Sequence, residues 1–134
     1  MSVGLRSLVC AAAVSAALFS CTSYSDNGYG RSPTAKMALQ APQGYPNPNA
    51  AARNKDGIDH LGWEHWRKAA ADFKRAIEVD PEMAAAHFNL ALALDRLGRH
   101  DDARAEFRAA LDLAPDDPLI AENEVLKKHL EAGP

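Results

Sequence analysis

Cysteine is almost missing from this chain of 134 residues, and its two copies, Cys10 and Cys21, both fall within the first 21 positions. A disulfide framework spreads its cysteines through the fold, so none is expected here. With no other thiol to draw on, C-x-x-C redox chemistry, zinc ribbons and covalent haem attachment are excluded too. No serine follows Ser32 and none stands in a G-x-S-x-G context, which removes the nucleophile-elbow hydrolases. A glycine-rich phosphate loop is also absent. Basic residues are not in excess: 15 Lys and Arg against 18 Asp and Glu leave a formal charge of −3. The pI near 5.9 is the opposite of what a nucleic-acid binder shows. No stretch alternates apolar and polar residues long enough to make a strand. These absences leave no catalytic constellation and imply no cofactor.

Long apolar runs are scarce as well. The one candidate, Leu8–Phe19, follows Arg6 and holds twelve apolar or small residues. As a helix it would reach about 18 Å, short of the ~30 Å hydrocarbon core. It reads as the apolar region of a signal peptide covering residues 1–20. The run ends in "LFSC", which resembles the lipobox of bacterial lipoproteins through Leu18, Ser20 and Cys21. That resemblance implies a diacylated Cys21 as the first mature residue and, with Thr22 behind it, export to the outer membrane facing the periplasm. Ordinary cleavage after Ala16, at "VSA", is the alternative.

Residues 21–50 are rich in Gly, Pro, Ser, Asn and Gln and contain neither Val nor Ile. Such a composition does not bury enough surface to offset chain entropy, so a disordered tether is expected.

What is abundant lies further on. "WRKAAADFKRAIEVDP" (Trp66–Pro81) aligns with "HDDARAEFRAALDLAP" (His100–Pro115) at a constant offset of 34 residues. Ala69/Ala103, Phe73/Phe107, Ala76/Ala110, Ile77/Leu111 and Pro81/Pro115 coincide. "AHFNLALALDRLG" before the second segment adds Asn89, Leu90, Ala91, Leu94 and Gly98. The period and these positions resemble the tetratricopeptide (TPR) repeat. The fold class implied is all-α: a short α-solenoid of two helix pairs, units 51–81 and 84–115, then a capping helix over 118–132. Small residues at 91 and 103 let antiparallel helices approach, and Gly98 suits the left-handed end of a helix. The first unit is degenerate, with Asp56 at a core position and His60 in place of an aromatic. Its first helix is therefore expected over 51–61, short or frayed, with Trp63 and Trp66 packing across the turn. Leu119, Ile120, Leu126 and Leu130 are expected to cover the end of the stack.

The TPR resemblance implies binding of another protein as a peptide or helix in a concave groove. Carried onto this chain, the groove positions include Lys55 and Asn54 in the first unit and Phe88, Asn89, Leu92, Asp95 and Arg96 in the second. Asn89 stands where many members use an asparagine to bond a ligand's backbone. Phe88 and Leu92 would form an exposed apolar patch. Leu119 and Asn123 replace the basic residues of a carboxylate clamp. His60 and His65 are five apart, and His87, His100 and His129 fall in different units, so no metal site is expected. The function expected is a lipid-anchored interaction adaptor of the bacterial envelope. An assembly or pilot factor for a secretion or pilus machine is one alternative, and a homo-oligomer built through open solenoid ends is another.

Overall fold

The computed structural model describes residues 32–132. The expected signal peptide and lipobox, with Cys21, lie outside the described residues. Among those described, seven helices and no strand occur: α1 (Pro33–Met37), α2 (Pro48–Gly62), α3 (Trp66–Val79), α4 (Ala84–Arg96), α5 (His100–Leu113), α6 (Pro118–Ala121) and α7 (Glu124–Glu131). Helices α2 and α3 form one antiparallel pair, α4 and α5 the next, and α3 packs on α4 to stack the two. This is the expected short α-solenoid.

The 34-residue offset of the sequence becomes a repeated packing. Ala69, Phe73 and Ala76 on α3 and Ala103, Phe107 and Ala110 on α5 are all fully buried. Opposite Phe73 stands Gly57, where an added Cβ would lie 2.5 Å from the ring. The equivalent of Gly57 in the second unit is Ala91, also buried. The first pair therefore packs more closely at this crossing than a Cβ would allow. Both pairs turn through a left-handed residue, Gly98 (φ 74°) in the second and Glu64 (φ 59°) in the first. Glutamate at that place carries a steric cost of about 1–2 kcal/mol that glycine does not.

Four expectations are corrected. Helix α2 is neither short nor frayed: it runs 15 residues from Pro48. Asn47 caps it by accepting from the Ala50 N–H, and Pro48 takes the first turn, where no N–H is needed. Asp56 points to solvent, so the degenerate position costs the core little, and Ile58 and Leu61 carry the burial. Trp63 is 59% exposed, while only Trp66 packs on the core. The single capping helix is two helices, because the Asn123 side chain accepts from the Val125 and Leu126 N–H groups and starts α7 afresh. Ile120 and Leu126 cover the stack as expected, but Leu119 is 64% exposed.

The largest departure lies before α2. Residues 32–47, assigned above to a disordered tether, are folded onto the repeats as α1 and an extended strap. Ser32 caps α1 through the Thr34 N–H, and its own N–H donates to the Gly62 carbonyl. At the other end Tyr45 donates from its hydroxyl to Asp80 at 2.9 Å, and Asn47 donates to the Val79 carbonyl. Burial pushes the Tyr45 phenol up to about 12, helped by the bond to Asp80 and the charges of Asp80 and Glu82. Ala35 is buried in the core, and Met37, Ala38, Leu39, Ala41 and Tyr45 pack partly buried against it, so these few apolar contacts hold the segment together with its polar bonds.

Candidate peptide-binding groove

Helix α4 is buried on nearly every side from Ala86 to Leu94, as befits a central helix. One side meets α3 and α5; the other meets the strap. Between α4 and α2 two carboxamides face each other. Asn89 donates from Nδ2 to Asn54 Oδ1 at 2.8 Å, and both side chains are fully buried.

The strap passes over this pair at Leu39. Its N–H donates to Asn89 Oδ1 at 2.7 Å. Its carbonyl accepts twice, from Asn89 Nδ2 at 2.8 Å and from Asn54 Nδ2 at 2.9 Å. Both backbone groups of Leu39 are thus satisfied by side-chain amides, as a neighbouring strand would satisfy them. Among the described residues no buried side-chain polar atom is left without a partner. The two asparagines bond backbone alone, while the Leu39 side chain packs partly buried against the core. Further along, Arg96 donates from Nε to Thr34 Oγ1 at 2.7 Å and stacks its guanidinium 5.9 Å from the Trp66 ring centre.

The expected groove residues divide. Asn89, expected to bond a ligand's backbone, here bonds the backbone of this chain's own Leu39. Arg96 holds Thr34 on the same face. Leu92 is buried, not exposed, and lines a cavity of about 560 Å³ beneath α1 with Thr34 and Met37. Phe88 is a correction: it is fully buried and meets Phe107 edge-on at 5.4 Å, which makes it core between α4 and α5. The exposed apolar patch expected of Phe88 and Leu92 therefore does not form. Lys55 is exposed, pairs with Asp59 one turn along α2 at 2.7 Å, and lines a shallow pocket with Gln40, Ala41 and Tyr45 of the strap. Asn54 proves as central as Asn89.

Asp95 sits at the cavity's far wall. His100 and His129, expected in separate units, converge on its Oδ1 at 2.9 and 2.8 Å. Burial works to raise the Asp95 pKa, but the bonds from His129 and His100 outweigh it and hold the carboxyl below its usual range. A similar pair lies at the other end of α4, where His87 faces Glu106 at 2.7 Å and the Pro81 carbonyl at 3.0 Å. Acceptors at both ring nitrogens favour the imidazolium form of His87. The Glu106 bond raises its pKa, against an opposing effect of burial, and the Pro81 carbonyl adds to the rise.

Two signals for the strap were present in the sequence. "SPTAK" (Ser32–Lys36) is a cap followed by proline, and "NP" (Asn47-Pro48) is another.

Compared with known proteins, residues 55–118 match the tetratricopeptide repeat family. No curated protein and no solved structure matches the chain.

Proposed function

We propose, from the tetratricopeptide repeat and the groove it builds, that this chain is a lipid-anchored adaptor of the bacterial cell envelope. It holds a partner protein by an extended peptide. The observation that carries the reading is the grip of Asn54 and Asn89 on both backbone groups of Leu39. A groove that bonds the main chain of one extended segment is chemically suited to another.

The strap makes that groove self-occupied. A covalently linked occupant competes at an effective concentration in the millimolar range. A partner that merely copied the strap's contacts would not displace it. One that also filled the cavity of about 560 Å³ beside Leu92 would. The "LFSC" motif supports anchoring at Cys21. Ten residues separate that cysteine from Ser32, so the folded unit would stand at most about 40 Å from the bilayer.

Crosslinking from membranes tests the adaptor role. Leu39→Pro removes the N–H that Asn89 accepts and keeps the carbonyl. Ala38 already has the extended backbone (φ −70°, ψ 139°) that a following proline requires. This variant is expected to recover more partner than wild type, and Asn54→Ala with Asn89→Ala less. Equal recovery from all three would remove the groove assignment. Mass spectrometry of the mature N-terminus is expected to find a diacylglyceryl Cys21, and a start at Ala17 would refute the anchor.

A further inference from the structure

We propose that Asp95, His100 and His129 form a zinc site that ties the terminal helix α7 to the second helix pair. Their ligand atoms, one carboxylate oxygen and two imidazole nitrogens, lie within 4.8 Å of one another. They come from three elements: the end of α4, the first residue of α5, and the last turn of α7. Two imidazoles and a carboxylate are a common zinc set, leaving a fourth position for water or another ligand.

The orientation of His129 is the stronger point. Its Nδ1 lies 2.8 Å from the Val125 carbonyl, which can only accept. The ring proton therefore sits on Nδ1, and in the neutral imidazole Nε2 presents a lone pair. That lone pair points at Asp95 Oδ1, 2.8 Å away, which is also an acceptor. Two acceptors this close require a proton on Nε2 or, with a slight opening, a cation that both ligate. A histidine that donates one N–H to a carbonyl while offering its other nitrogen is the usual arrangement of a zinc ligand. Tetrahedral zinc with bonds of about 2.0–2.2 Å separates its ligand atoms by roughly 3.3 Å. The Asp95–His100 and Asp95–His129 distances need to open by only a few tenths of an ångström to reach it.

Arg96, Arg104 and Lys128 line the same cavity, with Glu124 opposing them. Arg96 is engaged by Thr34, and Arg104 by the His129 carbonyl and Asp101. Their charge weakens the site for a bare dication and favours an anionic fourth ligand. The cavity gives that ligand room, and His100, which is exposed, gives the metal its way in.

The test is metal binding by the full chain in detergent. Cobalt(II), as the spectroscopic substitute for zinc, is expected to give the visible bands of a four-coordinate nitrogen–oxygen site without thiolate charge transfer. Zinc at a hundredfold excess over its Kd is expected to raise the melting temperature by roughly 10 °C. His100→Gln, at an exposed position that leaves the unliganded fold intact, is expected to weaken zinc binding at least tenfold. His60→Gln, on α2, is expected to leave it unchanged. No cobalt spectrum and no melting shift would mean a plain imidazolium–carboxylate pair and would overturn the proposal. So would zinc binding that is indifferent to His100→Gln or lost with His60→Gln.

Discussion

Replacing Asn89 by alanine removes three hydrogen bonds at once: one accepted from the Leu39 N–H, one donated to the Leu39 carbonyl and one donated to Asn54. Each contributes about 1 kcal/mol net. The Leu39 N–H and Asn54 Oδ1 are then left without these partners, and an unsatisfied buried group costs a further 1–3 kcal/mol or so. If the strap stayed in place, the loss would run well above 4 kcal/mol. The strap can instead lift and let water reach both groups, which caps the loss near the three bonds themselves. The expected destabilisation is therefore about 2–4 kcal/mol, measured by urea unfolding followed by circular dichroism. Local opening distinguishes this from a general weakening. Hydrogen exchange at the Leu39 amide should become fast, and trypsin should cut after Lys36, while amides of Phe73 and Phe107 keep most of their protection. Asn89→Asp is expected to be at least as harmful, because a carboxylate oxygen would replace the donor facing the Leu39 carbonyl. A loss below about 0.5 kcal/mol with the Leu39 amide still protected would refute the reasoning.

Other outcomes follow from the same structure. Glu64→Gly is expected to stabilise the chain by about 1 kcal/mol, read by denaturant melts, because glycine relieves the left-handed strain at φ 59°; no gain would mean that Glu64 is not strained there. Gly57→Ala is expected to cost about 1–3 kcal/mol despite alanine's better helix propensity, since the new Cβ would sit 2.5 Å from the Phe73 ring. Trimming that ring with Phe73→Leu should recover part of the loss in a double-mutant cycle. His87 has its folded pKa raised, so its contribution is full below about pH 6.5 and fades as pH rises through the folded value. Melting temperatures at pH 6 and pH 8.5 should therefore differ less in His87→Gln than in wild type, and an unchanged difference would count against the Glu106 bond.

The second helix pair was legible because its period is carried by buried positions. Ala103, Phe107 and Ala110 repeat Ala69, Phe73 and Ala76, and small-residue spacing reports helix crossings directly. The length of α2 was misread because Asp56 looked like a damaged core position, whereas the cap at Asn47-Pro48 sets where the helix begins. Phe88 was placed on the groove by its position in the repeat. In a helix enclosed on both sides, an aromatic ring turns instead toward its nearest aromatic partner, Phe107. The strap escaped notice for a different reason. Composition does not report polar bonds, and residues 38–47 are held by the amides of Asn54 and Asn89 at Leu39 and by the segment's own Tyr45 phenol at Asp80. The meeting of His100 and His129 at Asp95 depends on where α7 docks, and spacing along the chain does not encode that.

The central claim is that the groove recognises an extended peptide, with the strap as its present occupant. Gly44 lies in an exposed left-handed turn between Leu39 and α2, with open space around it. A protease site inserted there would convert the strap into a separate peptide without touching the groove. After cleavage, the fragment ending near Gln43 is expected to stay bound at high concentration and dissociate on dilution. Asn54→Ala with Asn89→Ala should abolish its retention while the cleaved repeat domain remains helical. A fragment that leaves at every concentration, or that stays equally well without the two asparagines, would contradict the account.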